Sequence, residues 1–239
     1  MKLEFVNISY TYAGQSSYAL KDIDLEFNEG ERIALIGRNG SGKSTLMLLA
    51  NGILKAQGGH IQLNGNDVSY SRKDLKKLRQ SVGVVFQNPD EQIFSANVFQ
   101  DICLGPLNFG LSENETRQQV QLVAKLCCID TLLDRPTHAL SGGEKTRVAL
   151  AGILAMNPSF LFADELTASL DPWMQVQVFE IIERLILQKK TVILSTHDWH
   201  LARQWADRII WLDAGHIFRQ GDAETVLDNY SSPVALPDG

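Results

Sequence analysis

The chain has 239 residues, of which 44% are hydrophobic and 21% are charged, and its 28 acidic residues against 22 Lys and Arg give a net charge of −6. This composition is typical of a folded globular protein and excludes an intrinsically disordered one. The length suffices for a full hydrophobic core, as one large domain or two small ones. The acidic balance argues against a nucleic-acid binder, which more often has a basic face.

Targeting and membrane-spanning segments are not indicated. The first ten residues lack the apolar core of a secretory signal, and the apolar stretches are far shorter than the ~18 residues that cross a bilayer. The three cysteines, Cys103, Cys127 and Cys128, lack metal-ligand spacing and predict reduced thiols that pack in helices. The alternative for the adjacent pair is a strained disulfide. We therefore expect a protein of the cytoplasm that does not itself span the membrane.

The first third of the chain is predicted to be rich in strands. Alternating apolar residues predict strands over residues 3–12 and 18–27. A third strand, Arg32–Ile36, runs into a glycine-rich loop, and a helix rich in Leu, Met and Ala follows over 44–54. Residues 59–63 alternate again as a strand.

The rest of the chain divides into a helical stretch and a stretch in which strands and helices alternate. Helical spacing of apolar residues predicts helices over 113–128, 142–156, 173–187 and 198–206, and the last recognisable element covers 223–229. Short apolar runs predict strands over 160–163, 191–195 and 208–212. Alternation of this kind implies a parallel sheet covered on both faces. We expect one domain over 1–239, with its core in 1–87 and 158–229, a helical subdomain in 88–157 and a tail in 230–239.

The glycine-rich loop fits the pattern G-x-x-x-x-G-K-[ST], with a strand before it and a helix after it. Glycines let the backbone wrap a phosphate, and the helix N-terminus points N–H groups at anionic oxygens. Lys43 is expected to reach the β- and γ-phosphates of ATP, and the Ser44 hydroxyl to bind Mg²⁺. The alternative is a glycine-rich turn without a ligand. The predicted ATP-binding residues of the loop are Gly37, Asn39, Gly40, Ser41, Gly42, Lys43, Ser44 and Thr45.

Two carboxylates, Asp164 and Glu165, directly follow an apolar strand. One carboxylate at such a strand end can hold Mg²⁺ through its water shell, and the next can polarise the water that attacks the γ-phosphate. Taken alone, the pair could equally be polar residues at a strand end. Together with the phosphate loop, the pair predicts a hydrolytic site.

A second glycine-containing helix start, Ser141-Gly142-Gly143-Glu144, decides which kind of ATPase the sequence resembles. It fits an anion-binding helix N-terminus, and Ser141 with Glu144 also fits a capping box. One ATP does not need two such loops from one chain. Here the sequence resembles the ABC-type ATPase family, in which this signature covers the ATP held by a second subunit. The resemblance implies an α/β fold of the P-loop NTPase type: a RecA-like parallel sheet core, an N-terminal antiparallel β subdomain and a helical subdomain.

The resemblance assigns further residues. Tyr12 matches the aromatic residue that stacks on adenine, and Gln87 the Q-loop glutamine that links Mg²⁺ and the attacking water to the transporter contact. Asp171, in the run Ser169-Leu170-Asp171, matches the D-loop. His197 matches the switch histidine that contacts the γ-phosphate.

In this family pattern Glu165 is the catalytic base, Asp164, Ser44 and Gln87 organise Mg²⁺, and Lys43 and His197 neutralise phosphate charge. Ser141 and Gly143 act in trans across a dimer. The sequence departs from the pattern twice: Leu166 stands where proline is usual and could loosen the turn, and Glu144 stands where glutamine is commoner. Neither change removes a catalytic group.

Residues 85–94 point to a narrower group. They resemble the ATPase subunits of energy-coupling factor (ECF) importers, including the cobalt and nickel group. In that group the Q-loop and the next helix line a groove where a cytoplasmic helix of the membrane subunit docks. Asp90 and Glu91, with Gln92 beside them, suit a docking helix that carries arginine. The alternative is a solvated acidic turn.

The resemblance also implies the partners. These are a second ATPase subunit, most simply a second copy of this chain, a membrane-embedded coupling subunit and a substrate-binding membrane subunit at the cytoplasmic face of the membrane. A related ATPase chain is the alternative second subunit. Many ATPases of the ECF group carry a further C-terminal segment that helps to hold the dimer. Because little of the given sequence follows residue 229, we expect the dimer to depend more on ATP or on the membrane subunits.

The competing functions are the ATPase of an ordinary ABC importer or exporter and a soluble ABC ATPase acting on DNA or ribosomes. The 85–94 segment argues against the first. The absence of a heptad run, which a coiled coil needs, argues against the second. No nucleic-acid partner is expected. Lys43, Asp164, Glu165 and His197 argue against a scaffold that does not hydrolyse ATP.

Overall fold

The computed structural model describes residues 1–167 and 170–228. Ser169 of the predicted D-loop and the predicted tail over 230–239 lie outside the described residues. The strands are β1 (Lys2–Tyr10), β2 (Leu20–Asn28), β3 (Arg32–Ile36), β4 (Gly58–Leu63), β5 (Asn66–Asp67), β6 (Val82–Val85), β7 (Phe160–Asp164), β8 (Thr191–Ser195), β9 (Arg208–Asp213) and β10 (His216–Gly221). The α-helices are α1 (Lys43–Ala50), α2 (Arg72–Ser81), α3 (Val98–Phe109), α4 (Glu113–Leu126), α5 (Gly142–Leu154), α6 (Pro172–Leu187), α7 (Trp199–Trp205) and α8 (Ala223–Leu227).

The strands form two sheets. One is antiparallel, in the order β2-β1-β4-β5, and the other has the order β10-β9-β3-β8-β7-β6. In the second sheet β9, β3, β8, β7 and β6 run parallel, and β10 pairs antiparallel with β9. This arrangement confirms the predicted fold class.

The second sheet differs from the predicted parallel sheet at its edge, where β10 was not predicted. A tight turn in which Ala214 and Gly215 have positive φ reverses the chain after β9. A chain that reverses through so short a turn can pair with its own preceding strand only in the antiparallel sense.

The two sheets share a hydrophobic core. The alternation of β1 and β2, which is interrupted by irregular pairing around Ile8, buries Leu3, Phe5 and Phe27 on one face, as expected for strands with one solvated face. The Phe27 ring meets the ring of Phe162 on β7 edge-on, with centroids 5.3 Å apart. This contact ties the antiparallel sheet to the parallel one, with α1 packed between them in the same cluster.

Two helices were missed by the sequence patterns. The charged helix α2 buries only Leu78, so it has little apolar periodicity to detect. The helix α3 contains Gly105 and Pro106, which normally end helices. Tertiary packing against α5 and against Met156, which follows α5 and lies against Gly105, outweighs these local preferences.

The cysteines are free thiols. Cys103 and Cys127 are buried in the helical cluster, which confirms the predicted packing role for these two, and Cys128 is exposed. Burial raises the pKa of the Cys127 thiol to about 12.

Across residues 1–167 and 170–228, no helix combines the length and apolarity that crossing a membrane requires.

Candidate active site

The loop between β3 and α1 has a backbone that only glycine accepts at two points. Gly37 has φ +149°, and a Cβ there would lie 2.3 Å from the Leu212 carbonyl oxygen. Gly42 has φ +108°, and a Cβ would lie 2.7 Å from the carbonyl oxygen of Ala19. Contacts this short do not occur without displacement of the neighbour, so the glycines permit the loop to pass between the two sheets.

Lys43 lies at the start of α1 with its side chain turned into the loop. It is 6% exposed, and its ammonium donates to the carbonyl oxygens of Gly37 (2.8 Å) and Arg38 (3.1 Å). Burial lowers the pKa of Lys43, and the nearby carboxylates of Glu165 and Asp164 oppose that shift. A buried cation held by neutral carbonyl oxygens is well placed to bind an anion.

The other loop residues support an anion site. Ser41 is 3% exposed, and within the described chain its buried Oγ has no hydrogen-bond partner. Asn39 and Gly40 are exposed at the tip of the loop. Thr45 is buried, and its hydroxyl lies 3.2 Å from the hydroxyl of Tyr12. The predicted adenine-stacking residue is thus anchored to the first turn of α1.

Ser44 and Asp164 meet at the ends of α1 and β7. The Ser44 hydroxyl donates to Asp164 Oδ2 at 2.5 Å, and the Ser195 hydroxyl donates to Oδ1 of the same carboxylate. The Ser195 oxygen also accepts the backbone N–H of Glu165 at 3.0 Å. Ser195 thereby fixes both acidic residues at once. No pattern in the sequence singled out this serine, although it precedes His197 by two residues at the end of a buried strand.

The carboxylate of Glu165 is held from two sides. Gln87 Nε2 donates to Oε2 at 2.8 Å, and His197 Nε2 contacts Oε1. Glu165 has φ +47°, a left-handed conformation that is unusual for a residue with a side chain. The next residue, Leu166, is 2% exposed and packs in the helical core cluster. Leu166 therefore places a buried side chain at the position where the resemblance leads us to expect proline.

Oxygen donors converge beside this carboxylate. A cavity of about 230 Å³ is lined by Ser44, Gln87, Glu91 and Asp164 among others. Within the described residues, no group of three or more His, Cys, Asp and Glu forms a protein-only metal site. A hydroxyl, an amide oxygen and one or two carboxylates fit Mg²⁺, which keeps several waters and takes phosphate oxygens as further ligands.

The predicted signature lies at the start of α5. Ser141 is the N-cap, and its hydroxyl accepts the N–H of Glu144, while Glu144 accepts the N–H of Ser141 at 2.7 Å. Arg135 donates to the second carboxylate oxygen of Glu144 at 2.8 Å. Glu144 therefore performs the capping expected of it. The hydrogen bonds that the described structure gives to Ser141 and Glu144 do not reach the β3–α1 loop.

Asp171 lies at the start of α6 beside the signature. Its carboxylate accepts the N–H of Met174 at 2.9 Å and caps the helix. Leu170 is 6% exposed, and a Cβ at Gly143 would lie 3.5 Å from Leu170 Cδ2. The two segments predicted to meet a second subunit are therefore neighbours.

A 3-10 turn, Pro89–Glu91, and the residue after it contact helix α5, the cavity beside Ser44 and a groove beside α2. Asp90, whose side chain is 63% exposed, forms an ion pair with Lys145 of α5 at 2.6 Å. Glu91 accepts from Asn88 at 3.2 Å and lines the cavity beside Ser44. Gln92, the residue after the turn, bonds the β6 backbone and lines a large groove beside α2. Lys145 was not predicted from sequence, because its partner lies 55 positions away.

The ABC transporter family profile matches residues 20–168, which is more than half of the chain. The chain belongs to the ABC transporter family. It is 44% identical over 222 residues to the cobalt import ATP-binding protein CbiO of Rhodobacter capsulatus, with 93% of this chain and 79% of that protein covered. It is also 44% identical over 227 residues to an energy-coupling factor transporter ATP-binding protein of Methanospirillum hungatei, with 95% of this chain and 57% of that protein covered.

Solved structures agree with this assignment. The chain matches CbiO1 of Clostridium perfringens, described as part of the transporter complex CbiONQ, with a TM-score of 0.82 and 40% identity over 95% of this chain and 90% of that one. A dimeric ATP-binding cassette bound to ADP and Pi matches with a TM-score of 0.83 and 28% identity over 92% and 98%. The prediction of an ABC-type ATPase that binds ATP is thus confirmed.

Proposed function

We propose that this chain is the ATP-hydrolysing subunit that energises an ECF-type importer, for cobalt or nickel ions or a vitamin. The observation that carries the proposal is the Glu165 carboxylate, held between Gln87 and His197 beside a phosphate loop. The names of the relatives, an ECF ATPase and a cobalt import ATPase, support the ECF type over an ordinary importer or exporter. These names also argue against a soluble ABC ATPase with a function other than transport.

The proposed chemistry assigns one task to each group. Lys43 binds the β- and γ-phosphates in place of its present carbonyl partners. Glu165 accepts the proton of the attacking water, because each carboxylate oxygen retains a free lone pair beside its present contact. Gln87 positions that water, and His197 stabilises charge on the γ-phosphate. Mg²⁺, held by Ser44, Asp164 and Gln87, would neutralise charge on the phosphate oxygens.

The proposed site is completed by a second subunit. The N-terminus of α5, with Ser141, Gly142 and Gly143, offers N–H groups and a helix dipole to an anion. We assign these residues, with Asp171, to the ATP of the partner, most simply a second copy of this chain. In this scheme 1–239 acts as one nucleotide-binding domain with 88–157 as its helical subdomain, and Tyr12 stacks on adenine.

The proposed membrane partners are a coupling subunit and a substrate-binding subunit, so that this chain lies peripherally at the cytoplasmic face. The turn with Asp90 and Glu91 is the proposed contact for the coupling subunit, with Gln92 holding the turn on β6. The exposure of Asp90 supports this contact.

The Glu165→Gln variant tests the proposal. It keeps the shape of the side chain and removes the base, so we expect ATP binding with turnover reduced by about 10²–10⁴-fold. ATP binding is measured by equilibrium dialysis and turnover by phosphate release. Glu180→Gln, an exposed position on α6, is the matched control and should hydrolyse ATP at the normal rate. Normal hydrolysis by Glu165→Gln would show that another group is the base.

A further inference from the structure

The carboxylate of Glu144 lies at the helix start that we assign to the ATP of the partner subunit. One of its oxygens accepts the N–H of Ser141, the N-cap of α5, at 2.7 Å. A phosphate that approaches this end of α5 therefore meets a negative charge. Like charges brought together across an interface weaken association, and more so where water is excluded. We expect Glu144 to oppose phosphate binding unless a cation neutralises it.

Arg135 is that cation. Its guanidinium donates to the other oxygen of Glu144 at 2.8 Å and to the carbonyl oxygen of Ala139 at 2.8 Å. The backbone carbonyl of Arg135 accepts the N–H of Val98 at 3.2 Å, so the residue is held at its backbone as well as at its side chain. The side chains of Arg135 and Glu144 are 43% and 20% exposed. The pair thus lies at the surface, where a second subunit can cover it.

The chain contains an internal comparison, because α4 begins with the same capping box. Ser112 caps α4, and Glu115 accepts its N–H at 2.8 Å. Among the described residues, no ion pair joins Glu115 to a cation, and Ser112 is its hydrogen-bond partner. The box therefore caps a helix without an arginine. The arginine is present at the box that is proposed to meet phosphate.

Glu144 is charged at neutral pH, since the hydrogen bonds from Ser141, with Arg135 beside them, lower its pKa below 4.5. A glutamine at position 144 would cap the helix equally, because its amide oxygen can accept the same N–H. It would do so without a charge. If Arg135 serves to neutralise residue 144, it should matter only while that residue is glutamate.

We propose that Arg135 is a positioning residue for ATP hydrolysis, which cancels the charge of Glu144 and so allows the start of α5 to accept the phosphates of the partner's ATP. This inference rests on the proposed function, which assigns that helix start to the second subunit. Arg135 acts through Glu144, and its planar guanidinium suits this task because it can donate to the carboxylate and to the Ala139 carbonyl at once.

The variant Arg135→Gln tests the inference in the full chain. It leaves the carboxylate of Glu144 without a counter-charge, so ATP hydrolysis and ATP-dependent dimerisation should both fall by about tenfold. The Kd for ATP, measured by equilibrium dialysis at low protein concentration, should not change, since the phosphate loop of the same chain is untouched. Phosphate release measures hydrolysis. Sedimentation measures dimerisation in chains that also carry Glu165→Gln.

The double variant Arg135→Gln, Glu144→Gln provides the decisive comparison. It removes the negative charge together with its partner, so both quantities should return to within about twofold of the unmodified chain. Arg135→Lys keeps the positive charge and should hydrolyse ATP at a near-normal rate. Arg203→Gln is the matched control, because it breaks an exposed ion pair with Asp228 on another part of the surface and should change neither quantity.

The other outcomes would overturn the inference. A double variant as slow as Arg135→Gln would show that Arg135 supports only the Ala139 loop. A near-normal rate in Arg135→Gln, or a tenfold loss in Arg135→Lys, would show that its charge is not needed. Absence of hydrolysis in the unmodified chain counts against the proposed function, whereas normal hydrolysis without rescue in the double variant counts against this inference alone.

Discussion

At the scale of single residues, Ser195 joins the two carboxylates on which the proposed hydrolysis depends. Its hydroxyl donates to Asp164 and accepts from the backbone of Glu165, and the residue is 1% exposed. Removal of a buried hydroxyl leaves its former partners unsatisfied, at a cost of about 1–3 kcal/mol.

We therefore expect Ser195→Ala to lower the free energy of unfolding by about 1–3 kcal/mol and to reduce kcat more than it raises KM for ATP. Urea denaturation and steady-state phosphate release measure the two effects. Thr196→Ala is the control, because its hydroxyl accepts from Asp198 and touches neither carboxylate. Equal loss of activity in both variants would contradict a positioning role for Ser195.

The phosphate loop gives a second residue-scale prediction. Gly37→Ala would place a methyl group 2.3 Å from the Leu212 oxygen, whereas Gly40, at φ +79°, has nothing within 4 Å of a Cβ. Gly40→Ala should cost about 1–2 kcal/mol for the left-handed backbone alone. Gly37→Ala should cost more and abolish ATP binding. Thermal unfolding and equilibrium dialysis compare the pair, and equal effects would show that the close contact is unimportant.

The single residues that the sequence predicts are those whose signal is local. The loop pattern, the strand-end carboxylates and the signature each lie in a short run of residues. Ser195 and Lys145 were missed because their partners lie 31 and 55 positions away. Such contacts depend on how strands and helices pack, which a single sequence does not express.

At the scale of secondary structure, the caps of α4 and α5 are a matched pair. Ser112 with Glu115 and Ser141 with Glu144 form the same capping box. Hydrogen bonds from Ser141, with the charge of Arg135 beside it, lower the pKa of the Glu144 carboxyl below 4.5. The cap of α5 is thus stable at neutral pH. In the proposed dimer it forms part of the site that contacts the ATP of the partner subunit.

The lowered pKa of Glu144 has a defined effect on stability. A carboxyl whose pKa is lower in the folded chain stabilises the fold above the unfolded value of 4.5, and that contribution is lost as the pH falls through the folded value. The free energy of unfolding of the Glu144→Gln variant should therefore fall less on acidification than that of the unmodified chain. Denaturant unfolding between neutral and acidic pH measures this difference. An unchanged acid profile would contradict the pKa direction.

The two caps also separate stability from catalysis. Glu144→Ala should lower the free energy of unfolding by about 1–2 kcal/mol and reduce ATP hydrolysis. Glu115→Ala removes the equivalent box on α4 and should leave the hydrolysis rate near normal. Phosphate release at a temperature where both variants are folded makes the comparison.

Whole elements were predictable where their apolar spacing is regular. The alternation in β1 and β2 and the helical spacing in α4 and α6 indicated the right structure with errors of a few residues at the ends. The helices α2 and α3 were not predicted, since one buries a single side chain and the other contains proline. Their stability comes from neighbours that are distant in sequence.

At the scale of the whole molecule, the proposed site is divided between two subunits. We expect Glu165→Gln with ATP to sediment at twice the mass of the nucleotide-free chain, because uncleaved ATP links Lys43 of one subunit to Ser141 of the other. Analytical ultracentrifugation with and without ATP measures this. A dimer of equal stability without nucleotide would contradict the dependence on ATP.

The docking turn gives a second prediction at this scale. Asp90→Lys should weaken co-purification with the membrane subunits and leave hydrolysis by the isolated chain unchanged, since its exposed ion pair with Lys145 contributes no more than about 1 kcal/mol. Glu180→Lys, another exposed charge reversal, should affect neither. Unchanged co-purification of Asp90→Lys would place the contact elsewhere.

The turn Pro89–Glu91 has a consequence for evolution and engineering. Its carboxylates face α5 and the cavity beside Ser44, and Gln92 faces the groove. A change at Glu91 therefore reaches the cavity beside Ser44, whereas the residues of α2 that line the groove do not line that cavity. A chain could thus exchange one membrane partner for another through a few substitutions in α2, with its hydrolytic machinery left intact.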